Sequence, residues 1–348
     1  MEKVPAHFCR NPFEIMEIHP DGDVYICCPN WNKFYSIGNI FENTFDEVWN
    51  SEKAKELRRR ILNDDYSLCD KASCLYCKNM RFHKSRRENL NKNFFFKKSG
   101  SDCMVHMKKG PVVIKLCYDP ECNIACKMCR DQIMRLSEDE LSLYNSKIDS
   151  FFIPLLKDVR ILEVNAHGDP FGSRHSRLLI QQVAKKYKHI KFDFQTNGIL
   201  CNEDMFKNLG VFFNRISAIR ISIHSSTPET YSKIVPNGKV LFPKIIQNLE
   251  FLSESCRKFG FEFCIHFVVS ALNYKEIPDF IRMAEKYSAK PYFWELRKVQ
   301  YLYESSDNDF IVDSNHPLHE DLKRVLRQPI CKCYRNHFSP QLVELMND

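Results

Sequence analysis

The sequence has no stretch near the roughly eighteen consecutive apolar residues that a membrane-crossing helix needs. It has no internal repeat of the solenoid kind and no low-complexity tract, which excludes stacked-repeat and compositionally biased architectures. Met1-Glu2-Lys3-Val4-Pro5 lacks the apolar segment that follows a basic start in a secretory signal, so a cytoplasmic protein without membrane partners is expected. Disulfides are disfavoured in that reducing compartment. Sixteen cysteines among 348 residues therefore point to metal ligation or catalysis.

The cysteines are grouped. One set is Cys9, Cys27, Cys28, Cys69, Cys74 and Cys77; a tight triplet is Cys122, Cys126 and Cys129; Cys331 and Cys333 form a last pair. Cys103, Cys117, Cys201, Cys256 and Cys264 stand alone and read as small buried hydrophobes. The formal charge of +7 is also localised. Lys78, Arg81, Lys84, Arg86, Arg87, Lys92, Lys97 and Lys98 face only Glu88, which leaves the rest of the chain near neutral. That run reads as a solvated linker with an aromatic docking point at Phe94-Phe95-Phe96. Its alternative is a grip on nucleic acid or an acidic leader peptide.

The length allows one large core plus a smaller domain. Thr44 is placed to cap a helix over about 44–62, with Phe45, Val48 and Trp49 at helical spacing. From 112 onward β-rich runs at 112–118, 159–165, 190–195, 216–223, 261–269 and 291–297 alternate with amphipathic stretches such as 174–187, 239–259 and 276–288. Strand, helix, strand at this spacing predicts right-handed βαβ units. The expected fold is α/β: a partial (βα)6 barrel of parallel strands, plus a small N-terminal cysteine-rich domain. The boundaries expected are 1–80 for that domain, 81–108 for a basic linker, 109–300 for the barrel and 301–348 for a capping segment.

Active sites of α/β proteins lie beyond the C-terminal ends of the parallel strands. After the first predicted strand comes Cys122-Asn-Ile-Ala-Cys126-Lys-Met-Cys129. Three thiolates suit a four-iron cluster and leave one iron without a protein ligand, open to a chelating small molecule. Structural zinc, the competing reading, would need a fourth ligand. The later strand ends are His167-Gly168-Asp169-Pro170, Gln195-Thr196-Asn197-Gly198, Ser222-Ile223-His224, and Val268-Val269-Ser270 leading to Leu272-Asn273.

This ordered set, over 112–297, resembles the radical S-adenosylmethionine (SAM) superfamily. The resemblance implies that Gly168, Asp169 and Pro170 hydrogen-bond the methionine amino group. It further implies that Gln195, Thr196, Asn197, Ser222 and His224 contact the ribose and the methionine carboxylate, and that the Asn273 segment lies beside the adenine. Met128 stands where the family commonly has an aromatic residue near the adenine, and Asp169 stands one methylene shorter than the usual Glu.

The N-terminal segment is similar to SPASM-type auxiliary-cluster domains over about residues 7–80. The matching residues are Cys9, Gly22-Asp23-Val24-Tyr25-Ile26-Cys27-Cys28, Ser36 to Ile40, Phe45 to Ser51, and Cys74-x-x-Cys77. The resemblance implies an auxiliary [4Fe–4S] cluster on Cys9, Cys27, Cys74 and Cys77, with Cys28 and Cys69 as alternatives and zinc as the rival occupant. In relatives this domain usually follows the radical domain; here it comes first. Cys331 and Cys333 are either a further ligand source or idle thiols.

The cofactors implied are a [4Fe–4S] cluster with SAM and a second, auxiliary [4Fe–4S] cluster. The partners implied are a peptide or small-molecule substrate and an external one-electron reductant such as flavodoxin or ferredoxin; nucleic acid is not expected. The activity implied is cleavage of SAM to a 5′-deoxyadenosyl radical that abstracts a substrate hydrogen. The substrate would be a ribosomal peptide undergoing cross-linking, epimerisation or oxidation, or alternatively a carbohydrate or other small molecule. Cys201 and Cys264 are candidate hydrogen donors for an epimerase. A non-catalytic metal-binding module is the reading from another class.

Overall fold

The computed structural model describes residues 9–28, 36–69, 74, 105–164, 167–296 and 310–347, and the structural statements below concern these. They fall into two compact units, one drawn from residues up to 119, 137–167 and 186–190, the other from 120–136, 168–185 and 191 onward.

The first unit holds strands β1 (Ile15–Ile18), β2 (Asp23–Tyr25), β3 (Gly38–Asn39), β4 (Val113–Leu116) and β5 (Ile161–Val164). β1 and β2 form an antiparallel hairpin with Glu17 opposite Tyr25. Its turn needs positive φ at Asp21 (64°) and Gly22 (82°), and a Cβ on Gly22 would sit 2.5 Å from the Phe41 ring. β1 is also paired in parallel with β4, and β4 with β5. Alternation puts Met16, Ile18, Ile114, Leu116, Leu162 and Val164 into the core.

The expected helix over 44–62 is two helices, α1 (Phe45–Trp49) and α2 (Glu52–Leu62). Thr44 forms a capping box with Glu47. The break has a physical cause at Asn50. Its side chain donates to Asp46 Oδ1 (3.0 Å) and the Met107 carbonyl (3.1 Å), and accepts from the Met107 amide (2.7 Å). Ser51 then caps the second helix by accepting from the Ala54 amide. Arg58 on α2 is wholly buried, lies 4.4 Å from the Trp49 ring centroid and donates to the carbonyls of Pro12 and Val105.

The second unit is built on four parallel strands, β6 (Lys191–Thr196), β7 (Ile216–Ser222), β8 (Glu262–Val269) and β9 (Lys290–Glu295). With it come α3 (Arg174–Lys186), α4 (Glu203–Leu209), α5 (Pro228–Ile234), α6 (Gly238–Phe259) and α7 (Ile277–Lys286). The helical face of the sheet is aromatic: Phe194 meets Phe206 of α4, and Phe267 and Phe293 both meet Phe280 of α7. Each such buried ring contributes about 1.5–3 kcal/mol of transfer energy. The opposite face is polar, with Gln195, Arg220 and Cys264 in one register row and Ser222, His266 and Tyr292 in the next. Residues 310–347 pack on β9, where Phe338 stacks on Phe293 with ring centroids 4.2 Å apart. Cys331 is buried near Arg282 and Cys333 is exposed. Among the described residues no helix is long and apolar enough to cross a membrane.

Candidate active site

The triplet loop is shaped by its own backbone. The amides of Cys129 and Arg130 both bond to the Cys126 carbonyl, at 2.8 and 2.9 Å, and the Cys122 amide bonds to the Met134 carbonyl. The Lys127 amide donates 2.9 Å to the Ile234 carbonyl at the end of α5. Burial pushes the Cys126 thiol well up, and Cys129 and Cys122 add to that push. This donor set fits an iron–sulfur cluster with one iron left to an outside ligand.

Two buried carboxylates hold the loop in place. Glu121 is 0 % exposed. It accepts from the Arg174 amide (2.7 Å), Arg174 Nη2 (2.9 Å) and Nε (3.1 Å), and the Leu136 amide (3.0 Å). Burial alone would raise this carboxyl, but the bonds from Arg174 and Leu136 outweigh it and the pKa falls below the ordinary glutamate value. Gly168 packs directly on Glu121: a Cβ there would lie 2.0 Å from the Glu121 carbonyl oxygen.

Asp169 is equally buried, and four donors fill its carboxylate. They are the amides of Phe171 (3.0 Å), Gly172 (2.9 Å) and Asn197 (2.7 Å) and the Thr196 hydroxyl (2.7 Å). Burial raises its pKa despite these bonds. Asp169 thus ties the segment after β5 to the end of β6. Its carboxylate serves the protein's own donors, at a position that the resemblance associates with the methionine amino group.

Asn197 reaches the triplet directly. Its Nδ2 donates to Asn123 Oδ1 at 2.8 Å and lies 3.9 Å from Cys122 Sγ. Asn248 of α6 fixes the same turn by donating to the carbonyls of Gly198 (2.7 Å) and Ile199 (3.0 Å). Gln195 and Ser222 are half-buried on the polar face of the sheet, and Met128 is half-buried in the triplet loop. His224, at φ 63°, accepts the Val268 amide on Nδ1 at 3.0 Å, and burial lowers its pKa to about 4. An Nδ1 that accepts leaves the proton on Nε2, so His224 is a neutral donor at that atom. Asn273 is an internal bracket, donating to the His224 (2.9 Å) and Val268 (2.8 Å) carbonyls. Cys201 and Cys264 are both wholly buried.

In the first unit, Cys27, Cys69 and Cys74 all act on the Cys9 thiol, whose pKa burial already raises. Cys77 lies outside the described residues. Cys28 instead acts on Cys117, which lies with Glu17 and His19 so that their ligand atoms are within 4.8 Å of one another. Glu17 and His19 also bond each other at 2.7 Å. Glu121, Asn248 and Tyr231 of α5, whose hydroxyl is treated below, escaped the sequence reading. An acid preceding a cysteine, an Asn in a long helix and a Tyr in a short one carry no local signal.

A three-thiol loop beside parallel strand ends, with a cysteine-gathering segment ahead of it in the sequence, is similar to the arrangement in radical SAM proteins of the SPASM type. The donor sets of the two segments suit a [4Fe–4S] cluster with SAM and an auxiliary cluster. Residues 9–78 match the SPASM iron–sulfur cluster-binding domain. The GTP 3′,8-cyclase of Synechocystis sp. is 25% identical over 203 residues, 57% of this chain and 58% of that relative. The chain thus spans little more than half the length of that relative. Among solved structures, SuiB of Streptococcus suis is 13% identical over 84% of this chain and 61% of its own, with a TM-score of 0.42. The structure of anSMEcpe with bound AdoMet is 17% identical over 64% of this chain and 57% of its own, with a TM-score of 0.41.

Proposed function

We propose that this chain reductively cleaves SAM and uses the resulting radical to modify a ribosomally made peptide. The observation that carries the reading is the loop bearing Cys122, Cys126 and Cys129, which Glu121 fixes through the Leu136 amide and which Asn197, itself held by Asp169, reaches at Cys122. When bound, the cluster supplies the electron that splits the sulfonium into methionine and a 5′-deoxyadenosyl radical. The three cysteines hold it, and Asn197 Nδ2 lies close enough to steady the Cys122 sulfur.

With the Asp169 carboxylate occupied internally, contact with the methionine amino group falls to the backbone of Gly168–Pro170. His224 offers an uncharged Nε2–H and Ser222 a hydroxyl at the end of β7, while Gln195 and Thr196 close β6. The row Ser222–His266–Tyr292 presents polar groups to substrate without net charge: burial first, then Arg220 and His224, hold His266 down to about 3.

The N-terminal domain supports the peptide reading, because the substrates of SPASM-type relatives are often ribosomal peptides, with sugars or aminocyclitols a minority. The auxiliary ligands are Cys9, Cys27 and Cys74, with Cys69 as the fourth among the described residues and Cys77 as its rival. An external one-electron reductant completes the system.

Anaerobic reconstitution followed by dithionite tests the reading. The chain should bind about eight irons as two clusters and release 5′-deoxyadenosine even without substrate. Changing Cys122, Cys126 and Cys129 to Ala should halve the iron and abolish deoxyadenosine. Full iron retention, or no deoxyadenosine from the wild type, refutes it.

A further inference from the structure

Tyr231 lies in the middle of α5 and is 1 % exposed, yet its hydroxyl has no hydrogen-bond partner among the described residues. A buried hydroxyl without a partner is costly, and native proteins rarely tolerate one unless something absent from the protein itself satisfies it. The ring is fixed. It packs against Phe242 with centroids 5.6 Å apart, and Gly238 lies against the Tyr231 and Ser232 backbone, where a Cβ would come within 2.7 Å.

The helix is fixed as well. Thr227 caps it, Glu276 accepts from the Ser226 amide and the Thr227 hydroxyl, and Ile234 at its end receives the Lys127 amide from inside the triplet loop. The groups whose fields reach the hydroxyl are, in order, Cys126, Cys122 and Asp169, which adds to the effect of burial in raising its pKa. The orphan O–H thus sits on the helix whose last carbonyl holds the triplet loop, within reach of the fields of Cys126 and Cys122.

We propose that the Tyr231 hydroxyl donates a hydrogen bond to a sulfur of the cluster on Cys122, Cys126 and Cys129, and so raises its reduction potential. The proposal rests on the reading that this triplet holds the SAM-binding cluster. Adding an electron makes the sulfur atoms more negative, so a donor aimed at them stabilises the reduced form more than the oxidised one. Hydrogen bonds to cluster sulfurs are among the levers that set such potentials.

The test is Tyr231→Phe, which removes one oxygen and keeps the ring. In an anaerobic redox titration, the electron paramagnetic resonance signal that SAM addition perturbs reports this cluster alone. At a fixed applied potential its reduced-to-oxidised ratio should fall about tenfold, equivalent to a shift of about 59 mV for one electron. SAM affinity should stay within about twofold of wild type.

An unshifted potential in a variant that keeps its iron overturns the inference. So does a loss of SAM affinity without a potential shift, which would place the hydroxyl on SAM instead. Melting of the cluster-free proteins gives an independent check: Tyr231→Phe should melt at the wild-type temperature or above, since it removes an unpaired hydroxyl. A lower melting temperature would show an internal partner and also overturn the inference. Absence of any SAM-sensitive signal in the wild type would instead defeat the underlying reading.

Discussion

Glu121 and Asp169 are chemically alike but differ in how much of their role the sequence reveals. Asp169 stands out because it sits in Gly168-Asp169-Pro170 after a strand, and the resemblance directs it toward a ligand. The structure surrounds it with four protein donors instead. Glu121 carries no such mark, since an acid beside a cysteine reads as solvent-facing. Burial reverses that reading, because a carboxylate taken out of water must be paired and hydrogen-bonded. Glu121→Ala leaves Arg174 and the Leu136 amide without their shared acceptor. The expected loss is about 3 kcal/mol, the low end for a broken buried pair, because Arg174 remains a third exposed to water. Denaturant unfolding of the cluster-free chain measures it; a loss under about 0.5 kcal/mol would show that the bracket is dispensable.

At the scale of elements, period and punctuation were sufficient for the strands. The six β-rich runs match strands β4 to β9 to within two residues at each end, because alternating or continuous apolar residues bounded by turns have few other uses. The helix over 44–62 shows where that logic fails. Apolar spacing continues across Asn50, but its side chain ends the first helix by bonding Asp46 locally and Met107 at long range. A partner some sixty residues away leaves no trace in a local window.

The turn after β6 depends on a similar distant partner. Asn248 lies on the buried side of α6 and satisfies two carbonyls of the Gly198–Ile199 turn. Asn248→Leu keeps the volume roughly constant but strands those carbonyls, which costs about 1–3 kcal/mol. The loosened turn should also weaken SAM binding, as Asn197 moves relative to Cys122. Isothermal titration on the reconstituted protein checks this, and unchanged affinity would confine Asn248 to folding.

For the whole molecule, composition and cysteine grouping pointed to metal chemistry, and the order of strand ends made the α/β sheet readable. The sequence did not show which thiols converge. Cys28 follows Cys27 immediately, yet Cys27 acts on Cys9 while Cys28 acts on Cys117.

The parallel ladder between β1 and β4 also determines how this protein can be cut. A cysteine-rich leader on a flexible tether could be removed as a cassette, but here Ile15 to Ile18 supply the backbone partners of Val113 to Leu116. Excising the first forty residues would strip one side of β4 to bare amides and carbonyls, a template for any passing strand. Such a shortened chain should therefore collect in the pellet during sedimentation, even with Cys122, Cys126 and Cys129 intact.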